Sequence, residues 1–143
     1  MGLNLIKEIL KDFFHVRRKP LILQMPITSR CNSRCKTCNV WKYKESNDID
    51  PIKLKEIFQS PFFSDVRVVG MNGGEFTLVP NFIEILQAAL VLPNISTIPL
   101  ITNGLYPKRL FEYAKEAKVL CDARGVHLSL CLSVDGVGEV HER

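Results

Sequence analysis

The residues in this sequence best suited to chemistry are three closely spaced cysteines, Cys31, Cys35 and Cys38. They follow the pattern Cys-x3-Cys-x2-Cys, and thiolates this close on one loop can converge on a single soft metal centre. Because no secretory signal is recognised, we expect reduced thiols, which favours metal binding or catalysis over disulfide bonds. The remaining two cysteines, Cys121 and Cys131, stand alone and are interpreted as small core residues.

Three kinds of site compete for this cluster of cysteines. A structural zinc site needs four ligands. The remote candidates for the fourth are His127, His141, Cys121 and Cys131. Unrelated core or reactive thiols would seldom fall into this spacing by chance. An iron–sulfur cluster is the favoured interpretation, because three cysteines hold its irons and leave one iron open for another ligand. An electron-transfer ferredoxin would normally add a fourth cysteine here.

The elements around the cysteines alternate between strands and helices. Buried or alternating apolar runs predict strands at 21–27, 66–69, 97–101 and 126–134. Apolar residues at helical spacing predict helices at 51–58, 80–90 and 108–123, with Asp50 as the N-cap of the first. A further amphipathic helix is predicted at 1–19. Strands that alternate with helices indicate an α/β fold with a parallel sheet.

Glycines and polar residues collect where the predicted strands end. Gly73, Gly74 and Glu75 follow the second strand. The third strand leads to Asn103, and the fourth leads to Ser133 and Asp135. Parallel α/β proteins bind their ligands at this end of the sheet. The sequence therefore predicts one site formed by the cysteine loop and these strand ends.

The predicted fourth strand alternates between two kinds of residue. Its apolar members are Leu128, Leu130, Leu132 and Val134, and its small polar members are Ser129, Cys131, Ser133 and Asp135. Because successive side chains point to opposite faces, the apolar face is expected to meet helices and the polar face a ligand. The alternative is an edge strand with one face in water.

Composition sets the broad class. The chain has 143 residues, 46% hydrophobic and 24% charged, which is typical of one globular domain. The net charge of +4 is too small to indicate a nucleic-acid partner. No apolar run approaches the roughly 20 residues of a transmembrane helix, so the expected location is the cytoplasm.

Taken together in order, these segments resemble the radical S-adenosylmethionine (radical SAM) superfamily. Its cysteine loop after the first strand matches Cys31–Cys38, and its GGE motif after the second strand matches Gly73–Glu75. Ile101–Gly104 and Ser133–Gly136 match the segments after the third and fourth strands. The resemblance extends over residues 21–143.

The resemblance implies cofactors and a reaction. Cys31, Cys35 and Cys38 would hold a [4Fe–4S] cluster whose open iron binds S-adenosylmethionine. One electron from a reductant such as flavodoxin or ferredoxin would release a 5′-deoxyadenosyl radical, which takes a hydrogen atom from an unidentified substrate. Details at Asn32, Cys38–Trp41 and Val140–Arg143 are similar to SPASM-type branches, which modify peptides or have extra cluster-binding C-terminal domains.

The resemblance also implies the cofactor-binding residues. Gly73 and Gly74 would let the backbone approach the ligand closely, and Glu75 would offer a carboxylate or carbonyl oxygen to the methionine ammonium. Asn103 would either contact the cofactor or shape the turn after the third strand. The other implied residues are Thr37 beside the adenine, and Ser133 and Asp135 at the ribose or methionine.

The length indicates only part of such a domain. The full eight-unit barrel takes about 250 residues. We therefore expect one incomplete core domain over 1–143, with the helix at 1–19 and a partial (β/α) TIM-type barrel of about four strands at 21–143. The alternatives are an iron–sulfur electron-transfer or metal-binding module, and an inactive fragment that needs a missing C-terminal half.

Overall fold

A computed structural model describes residues 6–7, 10, 19–43 and 48–134 of the chain. The helix predicted at 1–19 therefore lies mostly outside the described residues, although Ile6, Lys7 and Leu10 are helical. Asp135 and the segment that follows it also lie outside.

The four predicted strands are confirmed and form one parallel sheet. They are β1 (Ile22–Thr28), β2 (Val68–Gly73), β3 (Thr97–Thr102) and β4 (His127–Leu132). Their spatial order is β1-β2-β3-β4, and each neighbouring pair is parallel. Sequential parallel strands joined by helices are the arrangement of a TIM-type barrel, so the predicted α/β class and partial barrel agree with the structure.

The three predicted helices are also present. They are α1 (Pro51–Phe58), α2 (Phe82–Ala89) and α3 (Pro107–Ala123). The last of them ends before Gly125, which has a φ of 64° and reverses the chain toward β4. In the part of the chain that the structure describes, no helix is both long and apolar enough to cross a membrane.

One face of the sheet carries the core. Register places Met25 of β1 beside Met71 of β2, and Met71 beside Leu100 of β3. These side chains are buried against helix residues, including Phe82 and Cys121. Burial raises the pKa of the Cys121 thiol, the Asp122 carboxylate raises it further, and Lys118 opposes them. Cys121 is therefore a neutral core thiol, as predicted.

The opposite face of the sheet is open and carries both polar and apolar side chains. The side-chain amide of Asn72 on β2 donates to Oε1 of Gln24 on β1 at 2.8 Å. Cys131 lies on the same face in register with Ile101, and it is exposed. The prediction that Cys131 is a core residue is therefore wrong. Its strand, β4, pairs only with β3 among the described residues.

The apolar face of β4 is less covered than its pattern predicts. Leu130 is 48% exposed and Leu132 is 60% exposed. Leu128, at the start of the strand, packs against the core. Coverage of this face therefore falls from the start of β4 to its end, and β4 lies at the edge of the described sheet.

β2 extends further than predicted. The sequence suggests a strand at 66–69 that gives way to a glycine loop, but the strand continues through Gly73. Gly70 and Asn72 are poor strand formers, yet both pair in register with β1. Tertiary pairing overrides the local preference here. The extension carries the GGE segment directly onto the end of β1.

The start of α1 gives a stability prediction. The carboxylate of Asp50 accepts from the backbone N–H groups of Ile52 and Lys53, as an N-cap does. Asp50→Ala is expected to lower the free energy of unfolding by about 1 kcal/mol because those donors lose their partner. Urea denaturation measures it. Asp122→Ala, which breaks only an exposed i,i+4 pair with Lys118, should cost less than about 0.5 kcal/mol. Equal losses would contradict the capping role.

Candidate functional site

The cysteine loop leaves the carboxyl end of β1. Cys31 and Cys35 are half-buried, Cys38 is exposed, and all three are free thiols. The loop is held by short local contacts. The Ser33 N–H donates to Sγ of Cys31 at 3.4 Å, and the Ser33 hydroxyl lies 3.0 Å from Sγ of Cys35. The predicted position of the loop is therefore confirmed, with two of its sulfurs already in polar contacts.

An aromatic residue, Trp41, contacts the cysteine loop. The indole N–H of Trp41 donates to the carbonyl of Cys35 at 3.5 Å. The guanidinium of Arg34 lies 5.0 Å from the ring centroid, and the ammonium of Lys42 lies 5.2 Å from it. Cation–π contacts of this kind hold the ring in place. Trp41 thus packs on the loop rather than standing apart from it.

The donor set of this loop fits an iron–sulfur cluster. It offers three unpaired thiols on one short segment and no fourth cysteine, which suits a cluster with an open iron. Among the residues the structure describes, no three His, Cys, Asp or Glu side chains are already gathered around a single point. Within the loop the Cys38 N–H donates to the Cys35 carbonyl at 3.3 Å.

The root of the loop is fixed to the GGE segment by two short backbone bonds. Gly74 N–H donates to the carbonyl of Thr28, and Glu75 N–H donates to the carbonyl of Arg30, both at 2.7 Å. Gly73 has a φ of 104°, which favours glycine. A Cβ on Gly74 would lie 2.0 Å from the Arg30 carbonyl oxygen. The close approach that these glycines allow is thus to the chain itself, while their contact with a ligand stays a prediction.

Gly74 provides a sharp steric test. Gly74→Ala is expected to lower the free energy of unfolding by about 2–3 kcal/mol, because the new methyl meets backbone that cannot move aside. Gly70→Ala is the matched control, since its methyl meets only the flexible end of Gln24. Urea denaturation compares the two variants. A Gly74→Ala chain as stable as Gly70→Ala would show that the root of the loop is not tightly fixed.

An ion pair that sequence reasoning missed also supports the loop. Asp48 lies 2.7 Å from the guanidinium of Arg30 and accepts from the hydroxyl of Thr28 at 2.6 Å. The Thr28 hydroxyl in turn accepts from the Arg30 N–H at 3.0 Å. Asp48 is twenty positions from Thr28 and belongs to no recognisable motif. Only the fold brings it to the end of β1.

Glu75 is buried, with 1% of its surface exposed, and its carboxylate is bonded within the protein. Oε1 accepts from the N–H and hydroxyl of Thr77 at 3.2 and 2.9 Å, and from the hydroxyl of Thr102 at 2.8 Å. Oε2 accepts from the N–H of Asn103 at 2.8 Å. The side chain therefore ties the end of β2 to the end of β3. Its threonine partners were not identified from the sequence.

Asn103 connects β3 to the cysteine loop. Its side-chain N–H group donates to Oδ1 of Asn32 at 2.8 Å and lies 3.8 Å from Sγ of Cys31. Its Oδ1 accepts from the N–H of Leu105 at 3.0 Å, which shapes the turn at Gly104. The sequence predicts two alternative roles for Asn103: contact with the cofactor, or shaping of the turn after the third strand. The turn is present, and the amide also reaches the first cysteine.

The other predicted site residues are less connected. Thr37 is exposed in the turn between Cys35 and Cys38. Ser133 is exposed, and its N–H donates to the Thr102 carbonyl at 2.8 Å. Asp135 lies outside the described residues. The structure thus brings together the cysteine loop, Glu75 and Asn103, and leaves Thr37 and Ser133 accessible at the same end of the sheet.

Comparison with known proteins agrees with this arrangement. The family model of the radical SAM superfamily matches residues 25–136. The chain is 32% identical over 113 residues to a GTP 3′,8-cyclase of Shewanella denitrificans and 28% identical over 109 residues to one of Chlorobaculum tepidum. It is also 32% identical over 95 residues to molybdenum cofactor biosynthesis protein 1 of Drosophila melanogaster.

These matches cover most of this chain but a smaller share of the relatives. The two cyclase matches each take in 76% of this chain and 32% of the relative, and the Drosophila match takes in 62% and 16%. The chain therefore spans about a third or less of the curated relatives it matches. The match to the radical SAM family implies a [4Fe–4S] cluster and S-adenosylmethionine as cofactors. The chain belongs to the radical SAM superfamily.

Proposed function

We propose that this chain is the cofactor-binding part of a radical SAM enzyme, one incomplete core domain over residues 1–143. Cys31, Cys35 and Cys38 would hold the [4Fe–4S] cluster and leave one iron for S-adenosylmethionine. The observation that carries the proposal is three free cysteines on one loop, fixed at its root to the GGE segment. The chemistry that the cluster supplies when bound is one-electron cleavage of S-adenosylmethionine, which starts hydrogen abstraction from the substrate.

The chain's own residues position this chemistry. The backbone bonds from Gly74 and Glu75 hold the start of the loop against the sheet. The indole N–H of Trp41 donates to the carbonyl of Cys35 within the loop. Close approach of the backbone at Gly73 and Gly74, and an oxygen of Glu75 for the methionine ammonium, remain proposed contacts of the cofactor; the Glu75 carboxylate also accepts from donors within the protein. Thr37, Ser133 and Asp135 remain proposed contacts of the cofactor.

The proposed substrate is GTP. This rests on the relatives, several of which are named GTP 3′,8-cyclase, and none of those found is named as a peptide-modifying enzyme. The sequence-based hypothesis of a peptide substrate therefore has less support. The open face of the sheet carries Gln24 and Asn72, whose amides bond to each other and keep further donors and acceptors for a polar substrate. A flavodoxin or ferredoxin is the proposed reductant, and the cytoplasmic location stays a prediction.

Anaerobic reconstitution with iron and sulfide tests the proposal. After reduction, we expect the reconstituted chain to give the EPR signal of a [4Fe–4S] cluster. Adding S-adenosylmethionine should change that signal and release 5′-deoxyadenosine. If GTP is the substrate, adding it should perturb the signal further, whereas ATP at the same concentration should not. Zinc uptake in place of a cluster would overturn the assignment of the cysteines. A cluster that does not respond to S-adenosylmethionine would favour the electron-transfer alternative.

A further inference from the structure

We propose that Asn103 is a positioning residue for the iron–sulfur cluster, acting through a hydrogen bond from its side-chain amide to Sγ of Cys31. This inference rests on the proposed function, because it requires that Cys31 ligate the cluster. It assigns Asn103 to the metal's thiolate ligand rather than to S-adenosylmethionine. The buried Glu75 carboxylate then has a role in the site, because it accepts from the Asn103 N–H and so fixes the position of Asn103.

The orientation of the Asn103 amide is set by its neighbours. Oδ1 must face the N–H of Leu105, which only an oxygen can accept. The NH2 group is then directed toward the cysteine loop, where it has two acceptors: Oδ1 of Asn32 at 2.8 Å and Sγ of Cys31 at 3.8 Å. An NH2 group has two hydrogens, so it can serve both.

The position of the residue is fixed at the backbone as well. The Asn103 N–H donates to Oε2 of Glu75, and Glu75 is buried and bonded to Thr77 and Thr102. Glu75 N–H also donates to the Arg30 carbonyl, one residue before Cys31. Asn103 and Cys31 are therefore both held to one buried carboxyl residue. The amide is presented to the sulfur from rigid structure, although 72 positions separate the two residues in the chain.

The physical consequence concerns the reduced state of the cluster. Hydrogen bonds to cluster sulfurs set the reduction potential, because they stabilise the form with more negative charge. An N–H donor at Sγ of Cys31 is expected to raise the potential and make reduction easier. A residue that only shapes the turn at Gly104 would change the stability of the chain and leave the potential of a loaded cluster unaltered.

The experiment compares Asn103→Asp and Asn103→Ala with Asn94→Ala after anaerobic reconstitution. Asp keeps an acceptor for the Leu105 N–H but removes the donor, so the turn is retained. Asn94, which lies just before β3, is the matched control, because its amide donates to the carbonyl of Ser64 and not to the cysteine loop. The readouts are iron per chain and the midpoint potential from an EPR-monitored redox titration.

We expect both Asn103 variants to have a lower midpoint potential than the unaltered chain, and Asn94→Ala to match the unaltered chain. In Asn103→Ala the shift should correspond to a threefold to tenfold change in the reduction equilibrium, which is about the effect of losing one hydrogen bond. Asn103→Asp should shift further in the same direction, because its negative charge also disfavours the reduced cluster. Loss of iron from both Asn103 variants, with Asn94→Ala fully loaded, would also support the inference. Loaded Asn103 variants with an unaltered potential would overturn it. Absence of a cluster from the unaltered chain would instead overturn the proposed function.

Discussion

Replacing any one of Cys31, Cys35 and Cys38 by alanine is expected to abolish the [4Fe–4S] cluster and, with it, the cleavage of S-adenosylmethionine. A cluster with an open iron is held by three thiolates, so the loss of one leaves two irons without a protein ligand. The loop offers no replacement, because the two remaining cysteines lie elsewhere in the fold: Cys121 is buried in the core and Cys131 is on β4. Iron and sulfide analysis after reconstitution, together with the EPR spectrum, measures the effect.

Cys131→Ala is the matched control for this series. Its thiol is free and exposed, so it is as available to iron and to oxidants as Cys38, but it is not on the loop. The control variant should keep the full iron content and the EPR signal of the unaltered chain. If Cys131→Ala also loses the cluster, the exposed thiol of β4 takes part in binding, and the three-cysteine site is wrong. Full iron content in an alanine variant of Cys31, Cys35 or Cys38 would likewise contradict the three-cysteine site.

The arrangement of strands and helices followed closely from the sequence. Apolar runs and helical spacing placed all four strands and three helices, and Asp50 with Pro51 marked the start of α1 as observed. These features depend on residues close to one another in the chain, which explains why they are readable. The end of β2 was placed too early because Gly70 and Asn72 disfavour a strand locally, and pairing with β1 decides the outcome.

The hydrogen bonds and ion pair that hold the site together were harder to predict from the sequence than its cysteines. The cysteine loop and the GGE segment are contiguous in the sequence, so their residue types and spacing indicate the chemistry directly. The tie between Glu75 and Thr102 spans 27 positions, and the ion pair of Arg30 with Asp48 has no motif. Similarly, the exposure of Cys131 depends on what covers β4 and not on the residue type. Such contacts arise only once the strand ends meet.

The Glu75 network yields the largest expected loss of stability. Glu75→Ala is expected to lower the free energy of unfolding by about 3–5 kcal/mol. The carboxylate accepts from Thr77, Thr102 and the Asn103 N–H, and its loss leaves these donors buried without a partner. Each such donor costs about 1–3 kcal/mol, and part of that cost is recovered where water enters the cavity. Urea denaturation of the chain measures the difference.

Glu75→Gln separates the hydrogen bonds from the volume of the side chain. A glutamine keeps its carbonyl oxygen for the three donors at Oε1 but turns an NH2 group toward the Asn103 N–H, so it should lose only about 1–2 kcal/mol. Glu116→Ala, at an exposed position on α3, is the control and should change stability by less than about 0.5 kcal/mol. Should Glu75→Ala prove no more costly than Glu116→Ala, the carboxylate does not tie β2 to β3. In that case its oxygens would be free for a ligand, and the role that the family resemblance implies for Glu75 would be restored.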